Sequence, residues 1–245
     1  MHQRAVGLFA ILATFAFAGP LAGQRPIIGV GIGGGVILGS QLVEHGFTAT
    51  IDGEQQRLIQ QVDLNETAVF SAHVEWYATS RLALRVHGAW GGGDLEVATR
   101  LEGAGSDEAT FETGAGDVSI SAYDIGISFW PWAPNTVGFA PFITVGIGRF
   151  SYDFGSIDNT PFFQATGERS EQAFLIGVGA ELSLWRSLAL RVGGVNHLVD
   201  SPLRSSDFAT ISDPRDRGFG DGVSNVRLVI GGHVYFPFLA DGVQD

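Results

Sequence analysis

Two carboxylate–guanidinium pairs recur at a separation of ten residues, Glu75 with Arg85 and Glu181 with Arg191, and each pair spans a short turn. If the chain folds back about Ser80 as an antiparallel hairpin, Glu75 stands opposite Arg85, and the second hairpin sets Glu181 opposite Arg191 in the same way. Such contacts can fill a closed space, hold a gate or relay a proton; filling is the expectation here. Asp124 and Arg227 share the polar alternation and would join the pairs into one network. His73, His87, His197 and His233 lie on it as well. His73 and His87 should face each other across the hairpin, but two imidazoles without a nearby third ligand make a weak zinc set, so no metal is expected. Gly29-Val30-Gly31-Ile32-Gly33-Gly34 carries a G-x-G-x-x-G spacing, yet its glycines lie inside a strand rather than between strand and helix, so no dinucleotide cofactor follows. Asp207, Asp213, Asp216 and Asp221 fit no EF-hand loop and read as a solvated acidic stretch.

The elements that must position these residues have period two. Segments 26–39, 68–78, 82–93, 118–130, 137–150, 172–185, 188–199 and 223–238 each alternate apolar with polar or glycine residues, as strands do. Connections 79–81, 131–136 and 186–187 are short, whereas 40–67, 94–117, 151–171 and 200–222 are long. Eight antiparallel strands with short turns at one end and long loops at the other describe an all-β, up-and-down transmembrane barrel with periplasmic turns and extracellular loops.

The faces support that reading. Phe70, Ala72, Val74 and Trp76 alternate with Ser71, His73, Glu75 and Tyr77, and Phe174, Ile176, Val178, Ala180, Leu182 and Leu184 alternate with Gly177, Gly179, Glu181 and Ser183. A water-soluble sandwich would alternate too, so the glycines weigh in: Gly29, Gly31, Gly33 and Gly35 form one face of the first segment, which suits a narrow lumen crowded by opposite walls. Trp76, Trp130, Trp132, Trp185, Phe236 and Phe238 fall at the ends of segments near the short turns, and are expected to form an aromatic girdle at one headgroup level. The four long connections hold 21 acidic and 6 basic residues, the rest of the chain 5 acidic and 8 basic. The acidity is a property of the loops.

Composition bounds the classes. The 245 residues are 45% hydrophobic and only 16% charged, which excludes a disordered chain. There is no Cys, hence no disulfide, thiolate zinc site or thiol nucleophile. The formal charge of −12, with all 14 basic residues Arg, argues against nucleic acid as a partner. Met1 to Arg4, an apolar run from Ala5 and the ending Ala16-Phe17-Ala18 make a secretory signal over 1–18, or as far as 23, followed by a barrel domain 26–238 and a tail 239–245.

The pattern also echoes within itself: Leu82-Ala83-Leu84-Arg85-Val86 recurs as Leu188-Ala189-Leu190-Arg191-Val192, each after a short turn. By segment count, loop alternation and aromatic placement the chain resembles the small eight-stranded outer-membrane barrels of the OmpA transmembrane-domain and OmpX type. The resemblance implies the outer membrane of a Gram-negative-type bacterium, a lumen closed by ion pairs, and outer-membrane lipid and the barrel-insertion machinery as partners. It also implies a structural or surface-interaction role, with a ligand or partner at the acidic loops. One departure concerns insertion: such barrels often end on an aromatic residue, whereas Tyr235-Phe236-Pro237-Phe238 is followed by Leu239 to Asp245. Three alternatives stand beside it: a carrier or narrow channel for small apolar molecules, a soluble lipocalin-like barrel with inverted faces, and a lipid-modifying enzyme. Against the last, His197-Leu198-Val199-Asp200-Ser201 lacks a tight His-x-Ser, so no catalytic residue and no enzyme is expected.

Overall fold

The computed structural model describes residues 27–51, 53–101, 110–132, 138–155, 163–185, 187–208 and 222–237. The signal segment, Phe238, the tail and the 209–221 stretch with Asp213, Asp216 and Asp221 lie outside the described residues. The strands are β1 (Ile27–Ile37), β2 (Ser40–Ile51), β3 (Glu54–Leu64), β4 (Thr67–Thr79), β5 (Leu82–Leu101), β6 (Thr110–Phe129), β7 (Phe139–Phe154), β8 (Gly167–Trp185), β9 (Leu188–Asp200) and β10 (Gly222–Pro237). Antiparallel pairing runs β1-β4-β5-β6-β7-β8-β9-β10 and returns to β1, so eight strands close a barrel. Closure leaves no strand edge in that ring, as a sheet in hydrocarbon requires.

The two additional strands correct the expectation of a loop over 40–67. β2 pairs with β3, and β3 pairs with the upper part of β5, from Leu58↔Leu101 to Leu64↔Leu95, above the point where β4 takes over. The first hairpin is thus one long ribbon interrupted on both strands at a common height, at residues 38–39 and 65–66. Likewise 94–101, 110–117, 151–154 and 167–171, within stretches expected as loops, extend β5, β6, β7 and β8 well beyond the membrane level. Above Ile37 the β1–β10 seam opens, and residues 201–208 cover it. Ser201 Oγ donates to Leu42 O at 2.8 Å, and Phe208 packs its ring edge against His45 at 4.2 Å. Arg169 grips the carboxylate of Asp207 with both Nη groups and donates to Pro202 O at 3.0 Å, which ties β8 to this cover.

The extensions hold because their alternation is reversed. Along β6 the inward residues are Val118, Ile120, Ala122, then Asp124, Gly126, Ser128; the outward ones are Ser119, Ser121, then Tyr123, Ile125, Ile127, Phe129. Below Ala122 the barrel is apolar outside and polar inside; above it, the reverse. β7 switches at the same height, from outward Ile147 to Arg149 and from inward Gly148 to Phe150, and β10 does so between Val226 and Ser224. The apolar outer face of β10 runs from Val226 to Phe236. Ten steps at about 3.3 Å, tilted by about 40°, give a band about 25 Å tall, the thickness an outer-membrane barrel presents to lipid.

Trp76, Trp132, Trp185 and Phe236 face outward near the short-turn end, with 49%, 44%, 68% and 52% of their surface exposed. Trp130 does not belong with them. The parity of β6 turns Phe129 outward, and Trp130 enters the lumen with none of its surface exposed. A second aromatic group sits at the upper margin of the band, where Trp90 Nε1 donates to Tyr123 Oη at 2.8 Å and stacks near Phe70.

Height on the wall therefore dictates the cost of a charge. Ile230→Arg, facing lipid near mid-band, is expected to lower stability in lipid vesicles by about 2–4 kcal/mol. Ser119→Arg, outward but above the band, should change it by under about 0.5 kcal/mol. Urea unfolding followed by heat-modifiable electrophoretic mobility measures both; equal losses would contradict the placement of the band.

Candidate functional site

The lumen is filled in layers. At the short-turn end lies an aromatic floor: Trp130 between Tyr77 and Phe142, with ring centroids 5.3 and 5.7 Å apart, and Tyr235 5.7 Å from Tyr77. Small residues Ala83, Ala140 and Ala189 leave room for those rings.

On this floor stands Arg191. Its Nη1 and Nη2 each donate to Glu75 at 2.9 Å, one to each carboxylate oxygen, and Nη2 also reaches Glu181 Oε2 at 2.9 Å. The guanidinium carbon lies 4.9 Å from the Phe142 ring centre and 5.6 Å from that of Trp130, close enough for a cation–π contribution. Glu75 further accepts from Tyr77 Oη at 2.8 Å and from Ser128 Oγ at 3.3 Å, while Tyr235 Oη donates to Glu181. Ser128 and Thr144 hydroxyls share a bond of 2.9 Å beside it.

The Glu75–Arg85 contact expected from the hairpin is therefore corrected. Glu75 and Arg85 do stand opposite in register, yet the carboxylate is taken by Arg191 from the far wall. In so narrow a barrel the opposite wall is as close as the next strand, and a fork with two parallel N–H groups matches a carboxylate better than a neighbour arriving side-on. Glu181 does pair with Arg191, its register partner, so one guanidinium holds both glutamates. Tyr77, Tyr235 and Ser128 complete the layer; all three are inward by strand parity, but nothing in their spacing marks them as partners of the glutamates.

The histidines separate into two sets. His73 and His87 are register partners, but their rings part. His73 Nε2 is 3.0 Å from His233 Nδ1, across β1, where Gly29 and Gly31 provide the room: a Cβ on Gly31 would sit 2.2 Å from His73, and one on Gly29 would sit 2.2 Å from His233. His87 Nδ1 is 2.7 Å from Asp124 Oδ2, and His197 Nε2 is 3.5 Å from the same oxygen. His73, Glu75 and His233 place three ligand atoms within 4.8 Å, a carboxylate third ligand that the sequence did not reveal. The set does not suit a divalent cation, because Arg191 occupies both oxygens of Glu75 and its Nη1 also lies 3.0 Å from His73 Nε2. Above these layers Ile37, Val69, Ile120, Phe150, Tyr152 and Val223 form an apolar core to the outer end.

Outside, like charges meet in register: Asp63↔Glu96, Asp94↔Asp117 and Asp153↔Glu168. Partial burial pushes the Asp63 carboxyl above its usual range, against a hydrogen bond from Gln61 that lowers it, and the Glu96 and Glu44 charges push it further up.

A closed barrel with an apolar outer band and a packed polar lumen is an outer-membrane β-barrel. Among solved structures the chain is similar to the outer membrane protein OprG from Pseudomonas aeruginosa, at 12% identity and a TM-score of 0.52 over 87% of this chain and 97% of that one. It is also similar to AlkL, determined in lipid bilayers (15%, TM-score 0.46, 92% and 97%), and to the Yersinia pestis attachment invasion locus protein Ail in complex with sucrose octasulfate (11%, 0.45, 87% and 100%). No family model matches, and no curated protein matches. At these identities the likeness is one of fold.

The hub role of Arg191 makes a quantitative demand. Arg191→Met should destabilise the barrel by about 3–5 kcal/mol, because two buried carboxylates lose their partner. In a double-mutant cycle with Glu75→Gln the coupling should exceed about 1 kcal/mol, and it should be larger than the coupling between Glu75→Gln and Arg85→Met. Additivity of the Arg191 pair would sink the assignment.

Proposed function

We propose that the chain is a closed, non-conducting outer-membrane barrel that acts through the rigid extension it presents outside the cell. The observation that carries this reading is the packing of the lumen on both sides of its middle, by the Trp130 floor and the Glu75–Arg191–Glu181 layer at one end and by the core around Phe150 and Tyr152 at the other. A general diffusion pore needs an open path, and eight strands enclose a space that side chains just fill. The extension is stiff because it is paired strand and not free loop, and its outer face is acidic, with three register pairs of like charge. Carboxylates set opposite one another repel, so the surface favours a cationic partner. Barrel-insertion machinery and outer-membrane lipid are the further partners of this reading.

The apolar upper lumen is the one observation on the side of a carrier for small apolar molecules. Its filling by Phe150, Tyr152, Phe154 and Phe163 stands against it. Purified protein in planar lipid bilayers separates the two classes. The expected record shows no stable conductance steps; steps of porin size, or uptake of small solutes by reconstituted vesicles, would overturn the proposal.

A further inference from the structure

A cavity of about 50 Å³ lies in the lumen above the Arg191 layer, lined by Ser71, Arg85, His87 and Arg227 among others. That is room for a few water-sized groups or one small ion. Among the described residues, Arg85, Arg191 and Arg227 and the carboxylates Glu75, Glu181 and Asp124 are buried in this lumen, but they do not balance where they stand. Glu75 and Glu181 lie together in the lower layer, where Arg191 and the hydroxyls of Tyr77, Tyr235 and Ser128 satisfy them. The upper part holds Arg85 and Arg227 against Asp124. Asp124 Oδ2 lies 2.7 Å from His87 Nδ1 and 3.5 Å from His197 Nε2, and its Oδ1 has no donor among the described residues. The other carboxylate that acts on Arg85 is Glu75, and Arg191 has taken it.

The consequence shows in individual atoms. Nε of Arg85, and Nε and Nη1 of Arg227, find no acceptor among the described residues, although the two residues are only 5% and 2% exposed. A buried guanidinium N–H without an acceptor is costly, and charge makes it more so. Ser71 is the one hydroxyl among the residues that line the cavity, and it carries no charge to offset those of the two arginines.

We propose that this cavity is a binding site for one small monovalent anion of about the size of chloride, held between Arg85 and Arg227. The volume excludes phosphate esters and fatty acids, and a single negative charge offsets the local excess of one positive charge without the overcompensation a divalent anion would bring. Water could accept the same N–H groups, but it would leave that excess uncompensated in a low-dielectric interior.

Refolding into lipid vesicles with chloride or gluconate as the sole anion, at fixed ionic strength, tests the site, since gluconate is too large to enter. The unfolding midpoint should rise by about 2–5 °C for each tenfold increase in chloride above the dissociation constant. It should not respond to gluconate. Arg227→Gln should abolish the chloride response, while Arg204→Gln, on the outer cover, should retain it. Equal midpoints in the two salts, or an equal chloride response in Arg227→Gln, would refute the site. Should Arg227→Gln fail to fold, crystals of the unaltered protein grown in bromide decide: an anomalous peak between Arg85 and Arg227 is the expected result, and water alone in the cavity would overturn the proposal.

Discussion

One guanidinium, that of Arg191, organises the membrane-embedded half of this barrel. Two glutamates buried without a counter-charge would cost several kcal/mol each, and a single lysine could not satisfy them, because an ammonium is a point charge without the planar fork that binds one carboxylate through two parallel bonds while reaching a second. Arg191 spends its two Nη groups on Glu75, Glu181 and His73, and lays its face on Phe142 and Trp130. From the floor, the hydroxyl of Tyr77 donates to Glu75 and that of Tyr235 to Glu181. Other features accompany that arrangement: the alanines that admit the rings of the floor, and the glycines that admit His73 and His233.

The other organising constraint is the change of solvent along the strand axis. A strand crossing from hydrocarbon to water must exchange its faces, because apolar side chains that are stable against lipid outside become unstable against water. β6 and β7 make that exchange within one or two residues, at Tyr123 to Ser121 and at Ile147 to Arg149. The result is two cores of opposite sense stacked end to end, polar within the membrane and apolar above it. The apolar one seals the lumen toward the outside and holds the extension rigid, which is why an acidic surface well above the bilayer keeps a fixed shape.

Period-two alternation, the ten-residue spacing of Glu181 and Arg191 and the glycine face of β1 were enough to specify the barrel and its lumen face, since each depends on neighbours along one hairpin. Contacts across the lumen were not legible, because nothing in the register of one hairpin states which far wall lies closest; hence Arg191, and not Arg85, meets Glu75. The β2–β3 ribbon left a trace in Asp52-Gly53, a strong two-residue turn signal, where Ile51 pairs with Glu54 and Gly53 has φ +86°. Its strands read as loop because their alternation, with Leu58, Val62 and Leu64 inward and charges outward, runs opposite to that of a lipid-facing strand. Trp130 was misplaced for a simpler reason: proximity to a turn suggests a girdle, but parity decides which way the ring points.

The reversal of faces is the claim on which both the membrane placement and the sealed lumen depend, and the absence of cysteine makes it directly measurable. Single cysteines at each position from Val118 to Phe129, spin-labelled in lipid vesicles, report collision with oxygen dissolved in lipid and with a water-soluble nickel chelate. The expected pattern is contact with lipid at Ile125, Ile127 and Phe129, contact with water at Ser119 and Ser121, and access to neither at Val118, Ile120, Ala122, Asp124 and Ser128. Water contact at Ile120 or Ala122 would mean an aqueous lumen, and would contradict the account.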